Sequence, residues 1–257
     1  MAVNRDLWQS LFYSDDVPAW PCPKCGQTAL GIRKHHHVFS PDAESCNRDP
    51  HDGDEHQTGV VACIFHCNSC REAVAVAGNY HVQFCDKRGL VSYYRIKMAV
   101  PALPVISIPP NCDEGVTTEI RAAFLVFWSD DGACLNHIRQ AAELIMTILK
   151  VPKTALSKRN ASGRRKKLRL SLHERIVKLK ATKPKLKDLC DRLMAVKHLG
   201  NAGSHPGAVT YEDVFDGFDI IERILNDLYT QADSALAKIV RDINARRKPR
   251  RRNGNSA

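Results

Sequence analysis

The 257-residue sequence contains no apolar run long enough to cross a lipid bilayer, which takes about 20 residues in a helix. Its longest apolar run, Ala122–Trp128, fits a helix in a protein core. The first residues also lack the apolar stretch of a secretion signal. We therefore expect a cytoplasmic protein with no membrane partner.

Without a secretion signal, the ten cysteines favour metal binding over disulfides, because cytosolic thiols stay reduced. Four of them form two Cys-x-x-Cys pairs, which are Cys22 with Cys25 and Cys67 with Cys70. Each pair places two thiolates on one tight turn, and Gly26 allows the first turn to close. Strand-like segments at 60–65 and 73–77 flank the second pair. The pattern predicts a structural zinc ribbon in which four cysteines bind Zn²⁺ and leave no open coordination position.

Unpaired thiols or a redox pair are the alternatives for these four cysteines. A redox Cys-x-x-Cys normally opens a helix in a β-α-β unit, and that context is missing here. Cys63, four residues before Cys67, could replace one of the ligands. Cys134 and Cys190 lie on predicted helical faces, and we expect them to be small core residues.

The 41 residues between the two cysteine pairs are long for a zinc ribbon. Much of this stretch, at about 35–57, is a polar insert without apolar periodicity, which favours a surface loop. A second metal site is the alternative, because the insert contains histidines and a cysteine. These are His35, His36, His37, His51, His56 and Cys46.

Acidic residues are missing from one basic stretch and nearly missing from another. Residues 152–169 contain eight Lys or Arg and no acid, and residues 238–257 contain eight with a single acid, Asp242. The two stretches carry +15 together, so the rest of a chain with net charge +10 carries −5. Local basic patches of this kind suit a phosphate backbone or an acidic partner. A solvated linker and a solubilising tail are the alternatives.

The apolar periodicity changes from strand-like to helical along the chain. Segment 93–100 is the last strand-like stretch, and four prolines then interrupt regular structure up to residue 110. Capping motifs are expected to begin helices at Ser171 and Thr210. The predicted helices cover 118–128, 132–150, a segment from Ser171, a segment from Thr182 or Pro184, and 211–246.

These elements predict an α+β protein. A zinc-ribbon-like β domain at 1–110 precedes an all-α helical bundle at 111–246, and a basic disordered tail follows at 247–257. The last helix carries an apolar seam with heptad-like spacing from Val214 to Ile239. Such a seam suits packing within the bundle, and a dimer contact is the alternative.

A short segment, Lys197–His205, connects two of the predicted helices. Gly200 is expected to end the first helix in the left-handed conformation. Asn201 and His205 would then be polar groups held in a tight turn, and a histidine can transfer a proton near neutral pH. An ordinary helix corner is the alternative interpretation.

Five segments in a fixed order resemble a known protein family. They are 20–26, 65–70, 133–144, 172–176 and 199–205. Their order and spacing are similar to those of the prokaryotic family named domain of unknown function 4145, over about residues 20–230 and including the zinc ribbon. Members occur alone and on type I restriction-enzyme R subunits. The resemblance implies a HEPN-like helical bundle (higher eukaryotes and prokaryotes nucleotide-binding), a superfamily that includes toxin and defence ribonucleases.

Active HEPN ribonucleases carry an arginine, then a polar residue, and a histidine after three more residues. The arginine stabilises phosphate charge and the histidine acts as acid and base. By this resemblance Asn201 and His205 match the pattern, whereas the arginine position is Gly200. The departure predicts a degenerate domain. Other cations could replace the arginine in space, namely Lys197, Arg192 or Arg139, the last of which can pair with Glu143 one turn further along its helix.

Three functions are compatible with these features. The favoured one is a non-catalytic or conditionally active protein of antiviral defence that binds RNA or DNA through two basic clusters. These are Arg164, Arg165, Lys166 and Lys167, and, in the tail, Arg250, Arg251 and Arg252. The second is a metal-independent ribonuclease in which Asn201 orients His205. The third is a dimerising protein-interaction subunit of a restriction or defence complex that uses the 214–239 seam.

Overall fold

The computed structural model describes residues 3–9, 12–13, 16–47, 57–87, 89–157, 165–205, 207 and 209–229. Several sequence predictions fall outside these ranges. They concern Arg164, the tail cations Arg250, Arg251 and Arg252, the last helix beyond Tyr229, the tail at 247–257, and His51 and His56 of the insert.

Five antiparallel strands form the N-terminal sheet in the order β1-β5-β4-β3-β2. The strands are β1 (Phe12–Tyr13), β2 (Leu30–Pro41), β3 (Thr58–Cys67), β4 (Ala73–Cys85) and β5 (Gly89–Val100), with a short helix α1 (Arg5–Gln9) before them. Alternate residues of β3 are buried, including Val61, Cys63 and Phe65. This alternation is the pattern of a sheet with one buried face and one solvated face.

The predicted surface loop at 35–57 is wrong in its first part. Residues 35–41 belong to β2, which pairs with β3 from Val38 opposite Ala62 to Pro41 opposite Gly59. A short helix α2 (Ala43–Cys46) follows, capped by the Asp42 side chain. Because β2 is an edge strand, its backbone forms the ladder while side chains such as Val38, 70% exposed, face solvent. These exposed side chains explain why the sequence of β2 shows no apolar periodicity although it forms a strand.

The C-terminal part is helical, so the α+β class is confirmed in its coarse form. Its elements are α3 (Glu114–Val126), α4 (Asp131–Ile148), a small hairpin of β6 (Thr154–Leu156) and β7 (Lys167–Arg169), α5 (Leu172–Thr182), a 3-10 turn (Pro184–Leu186), α6 (Lys187–Ala202) and α7 (Tyr211–Tyr229). None of the described helices combines the length and the apolar character that a bilayer span requires. The division into two domains at about residue 110 stays a prediction.

Local capping chemistry sets where these helices begin. Both predicted capping motifs are confirmed, because the Ser171 hydroxyl accepts from the Glu174 N–H and the Thr210 hydroxyl accepts from the Asp213 N–H. Helix α3 begins four residues earlier than the pattern predicted. The cause is Asp113, whose carboxylate accepts from two N–H groups of the first turn.

Helix α7 contributes its apolar seam to the core of its own chain. Val214, Phe218, Ile221 and Leu225 are fully buried there. This burial favours bundle packing over a dimer contact for the described part of the seam.

Aromatic rings join the sheet to the helices. Trp20 precedes the first cysteine pair and lies 5.5 Å from Trp128 after α3, measured between ring centroids. Trp8 of α1 lies 5.5 Å from Phe127 and packs against both tryptophans. Arg5 adds ion pairs from α1 to three carboxylates of α7. The end of the sheet that carries the cysteine pairs and the helical core are therefore packed together.

Candidate metal centre and polar cluster

The four predicted zinc ligands lie together at one end of the sheet. The sulfur atoms of Cys22, Cys25, Cys67 and Cys70 are all within 4.8 Å of one another. The Sγ atoms of Cys22 and Cys70 are 3.6 Å apart, as are those of Cys25 and Cys67. A tetrahedral site with Zn–S bonds of about 2.3 Å places its sulfurs about 3.8 Å apart. The four cysteines thus fit a metal ion and are compatible with a structural zinc.

Two turns with the same backbone pattern hold the sulfurs. In the first, the Cys22 N–H donates to the Gln27 carbonyl and the Gly26 N–H donates to the Cys22 carbonyl. In the second, the Cys67 N–H donates to the Glu72 carbonyl and the Arg71 N–H donates to the Cys67 carbonyl. Gly26 and Arg71 both have a left-handed φ, of 71° and 64°.

The electrostatics of the cluster require a cation if all four thiols are to ionise. Backbone N–H groups of Cys70 and Ser69 lower the pKa of Cys67 to about 6. At Cys70 the Glu72 N–H lowers the pKa, but burial and the three neighbouring thiols outweigh it and raise the pKa to about 12. A divalent metal would remove this conflict by stabilising four thiolates at once.

Cys63 is not one of the clustered ligands. Its side chain points into the core of the sheet, where burial raises the pKa of the thiol to about 11. Cys134 and Cys190 are also buried, as expected of small core residues. Among the described residues, the four-cysteine cluster is the only group of three or more His, Cys, Asp or Glu arranged to hold a metal.

Gly200 does not end a helix, so that prediction is wrong. Helix α6 continues to Ala202, and Gly200 is buried inside it. A Cβ atom added at Gly200 would lie 2.5 Å from Cβ of Arg139 on α4. One turn further along, Gly203 and Gly132 of α4 also approach closely through their backbones. The glycines are therefore needed for close packing of α6 on α4.

Arg139 fills the space beside Gly200 and is held by a polar cluster on α4. Its guanidinium donates to the Asn136 side chain at 3.0 and 3.2 Å and to the Glu143 carboxylate at 2.7 Å. The predicted Arg139–Glu143 pair is thus confirmed. Of the three cations considered as substitutes at position 200, Arg139 is the one packed against it. Arg192 instead pairs with Asp227 on α7, at 2.7 Å.

The structure places the two residues of the predicted catalytic pair at an exposed end of α6. Asn201 lies on its last turn, and His205 lies just beyond it. Lys197 is half-buried one turn earlier. Whether Asn201 and His205 have a catalytic role stays a prediction.

Arg175 is a buried arginine that adjoins this polar cluster. It was not predicted from the sequence. Arg175 of α5 is 3% exposed. Its guanidinium donates to the Glu143 and Val151 carbonyls and to the Thr147 hydroxyl at the C-terminal end of α4. Burial lowers its pKa. One signal was available, because Arg175 falls on the apolar face of α5 between Leu172 and Ile176.

The described parts of the basic stretch before α5 pair as β6 and β7, here called the β6–β7 hairpin. Thr154 opposite Arg169 and Leu156 opposite Lys167 set its register. Its described cations are all exposed and form no ion pair with any described residue. They are Lys153, Arg165, Lys166, Lys167 and Arg169.

Two different family models match separate parts of the chain. Residues 121–246 match the family described as domain of unknown function (DUF4145). Residues 10–91, which contain all four clustered cysteines, match a different family, domain of unknown function (DUF8608). The cysteine pairs therefore fall outside the region to which the first match extends. No curated protein and no solved structure shows significant similarity to this chain. The match over residues 121–246 confirms, for the helical part of the chain, the resemblance to the DUF4145 family predicted from the sequence.

Proposed function

We propose that this protein is a zinc-containing, nucleic-acid-associated protein whose HEPN-like helical domain is degenerate, and that it acts in prokaryotic antiviral defence. The exposed β6–β7 hairpin is the observation that carries the proposal. It presents five described cations on or beside two paired strands, and none of the five forms an ion pair with a described residue, although Glu119 and Glu143 line a cleft together with Lys153 and Arg169. Unneutralised cations held in a fixed arrangement are what a phosphate backbone selects.

The packing at Gly200 supports the degenerate character of the helical domain. The stem of Arg139 occupies the space where a side chain at 200 would begin, and its guanidinium is engaged by Asn136 and Glu143. To stabilise a transition state, the Arg139 guanidinium would have to break its hydrogen bonds to Asn136 and Glu143. The zinc, held by four cysteines with no position left for substrate, would stabilise the fold and not take part in chemistry.

The first test is binding of labelled RNA, single-stranded DNA and duplex DNA over a salt series from about 50 to 200 mM. The test variant carries Arg165→Gln, Lys166→Gln and Lys167→Gln. Because each lost phosphate contact removes about 0.9 from the slope of log affinity against log salt on duplex DNA, we expect the slope to fall by roughly 2 to 3.

The matched control removes the same charge from exposed lysines elsewhere, with Lys178→Gln, Lys183→Gln and Lys185→Gln. It should keep the wild-type slope. If the two triple variants bind equally well, the hairpin is not a phosphate-binding surface. If the wild type binds no nucleic acid at low salt, the proposed function is wrong.

The same reactions separate binding from cleavage. Intact nucleic acid in the bound complex is the expected result. Cleavage of RNA by the wild type, lost in His205→Ala, would instead identify a ribonuclease that works without an arginine at position 200. The dimeric or complex-forming alternative predicts a solution mass above that of one chain, which light scattering would measure.

A further inference from the structure

All three tryptophans of the chain meet at the junction of the sheet and the helices. Beside them is a cleft of about 510 Å³, here called the aromatic cleft. Trp8 and Trp20 are buried, whereas Trp128 and Tyr211 are partly exposed to the cleft. The aromatic cleft is lined by Trp8, Trp20, Arg95, Ile96, Lys97, Trp128, Ser129, Asp131 and Tyr211. Its volume is within the range of small-molecule sites, which favour the junctions of structural units.

Polar groups of complementary kinds line the same cleft. The Tyr211 hydroxyl is buried without a hydrogen-bond partner in the described structure. An unpartnered hydroxyl of this kind is available to donate to a ligand. Asp131 is half-buried, and desolvation raises the pKa of its carboxyl. The cleft thus offers a hydroxyl donor and a carboxylate acceptor next to aromatic faces.

Two cations are among the residues that line the aromatic cleft. Arg95 and Lys97 of β5 are both exposed, and neither forms an ion pair with a described residue. They also line a second cleft, of about 390 Å³, whose other lining residues include Asp42, Asn79, Tyr80 and His81. The two cations therefore connect the aromatic cleft to the sheet surface.

A stacked ring pair extends this surface. The rings of His81 and Tyr93 are nearly parallel, with an interplanar angle of 8° and centroids 5.1 Å apart. Residues paired across β4 and β5 lie on the same face of the sheet, and Asn79 opposite Arg95 adjoins His81 opposite Tyr93. Aromatic rings and cations thus share one face, next to the aromatic cleft.

These observations select one class of ligand. Arg95 and Lys97 together outweigh the single carboxylate of Asp131, so the lining carries a net positive charge that disfavours an ammonium group, although aromatic walls alone would accept it. An acidic peptide would use the two cations and leave the aromatic faces unused. A duplex keeps its bases stacked inside the helix, whereas a single strand offers free base faces and phosphates at once.

We propose that the junction of sheet and helices binds a short stretch of single-stranded nucleic acid. One base enters the aromatic cleft, where Tyr211 and Asp131 face its edge, and the adjoining phosphates contact Arg95 and Lys97. The inference rests on the proposed nucleic-acid association and adds to it a second surface with a preference for single strands.

The test uses two signals on the full chain. Anisotropy of a labelled oligonucleotide reports binding anywhere on the protein, whereas intrinsic tryptophan fluorescence reports the aromatic cleft, because all three tryptophans lie there. The probes are a single-stranded oligonucleotide, the same length of abasic single strand, and a duplex. The variant is Arg95→Gln with Lys97→Gln, and its charge-matched control is Lys178→Gln with Lys185→Gln.

We expect the single strand to quench the tryptophans, the duplex to bind without quenching, and the abasic strand to bind about tenfold or more weakly. The Arg95/Lys97 variant should lose single-strand affinity and about 1.4 of its salt slope, while its duplex affinity is unchanged. Single-strand binding without quenching, or equal loss in the variant and its control, would overturn the inference while the hairpin proposal stands. Absence of any anisotropy change would refute both.

Discussion

Arg71 takes the place in the second cysteine turn that Gly26 takes in the first. Both residues lie four positions after the first cysteine of their pair, and both donate to the carbonyl of that cysteine. Both adopt a left-handed backbone, which costs an L residue about 1–2 kcal/mol and glycine much less. The Arg71 side chain is exposed. The second turn therefore keeps a strained residue that the first one avoids.

Arg71→Gly should stabilise the protein by about 0.5–1 kcal/mol, because the relieved backbone strain of about 1–2 kcal/mol exceeds the cost of about 0.5–1 kcal/mol that comes from glycine's greater freedom in the unfolded chain. Chemical denaturation of the metal-loaded protein would measure the change in free energy of unfolding. Arg71→Ala is the control, since it removes the same side chain but retains Cβ and the strain. Equal stability of the two variants would show that the left-handed backbone is not the cause.

At the scale of elements, the contact between α4 and α6 depends on missing side chains. Gly200 lies against the stem of Arg139, and Gly203 lies against Gly132. Replacing a glycine inside a helix by alanine normally stabilises the helix by about 1 kcal/mol, unless the added methyl group has no space. Here the nearest atom is a Cβ fixed to the α4 backbone, so the helices would have to separate.

Gly200→Ala should therefore destabilise the protein by about 1–3 kcal/mol despite its better helix propensity. Thermal or chemical unfolding measures this change. Gly115→Ala is the matched control in α3, where the nearest atoms are the ends of the Asp113 and Leu144 side chains. A control variant as unstable as Gly200→Ala, or a stable Gly200→Ala, would contradict the packing argument.

The same contact explains why the interhelical segment was misjudged. A glycine followed by Asn201 near the end of an apolar pattern is the usual signal of a helix end. Helix α6 nevertheless continues past Gly200. The glycine is there because it leaves room for Arg139, which lies 61 positions earlier in the sequence. The local sequence pattern cannot distinguish a glycine that ends a helix from a glycine that allows a second helix to pack closely.

At the level of the whole molecule, the four-cysteine cluster and the helical core share one aromatic cluster. Trp20 lies two residues before Cys22 and contacts Trp8, Phe65 and Trp128. Its indole N–H also donates to the Leu7 carbonyl. Loss of the metal would free the first cysteine turn and with it Trp20.

Chelation, or Cys67→Ser, should release about one zinc ion per chain and shift tryptophan fluorescence to longer wavelength, because Trp20 gains contact with water. Metal analysis and emission spectra measure the two effects. Cys46→Ser is the control, since Cys46 is exposed and lies outside the cluster. Purified protein without metal, or the same metal loss in Cys46→Ser, would contradict the assignment of the site.

Some features of this protein depend only on the spacing of residues within one turn. Cysteines three positions apart, capping residues at Ser171 and Thr210, and the Arg139–Glu143 pair were all predictable, because their partners are neighbours along the chain. Three other features could be seen only in the folded chain. Arg139 fills the space beside Gly200, β2 is a strand, and Arg95 and Lys97 of β5 line the same cleft as the three tryptophans. Those outcomes depend on which distant segments pack together, and residue spacing carries no information about that choice.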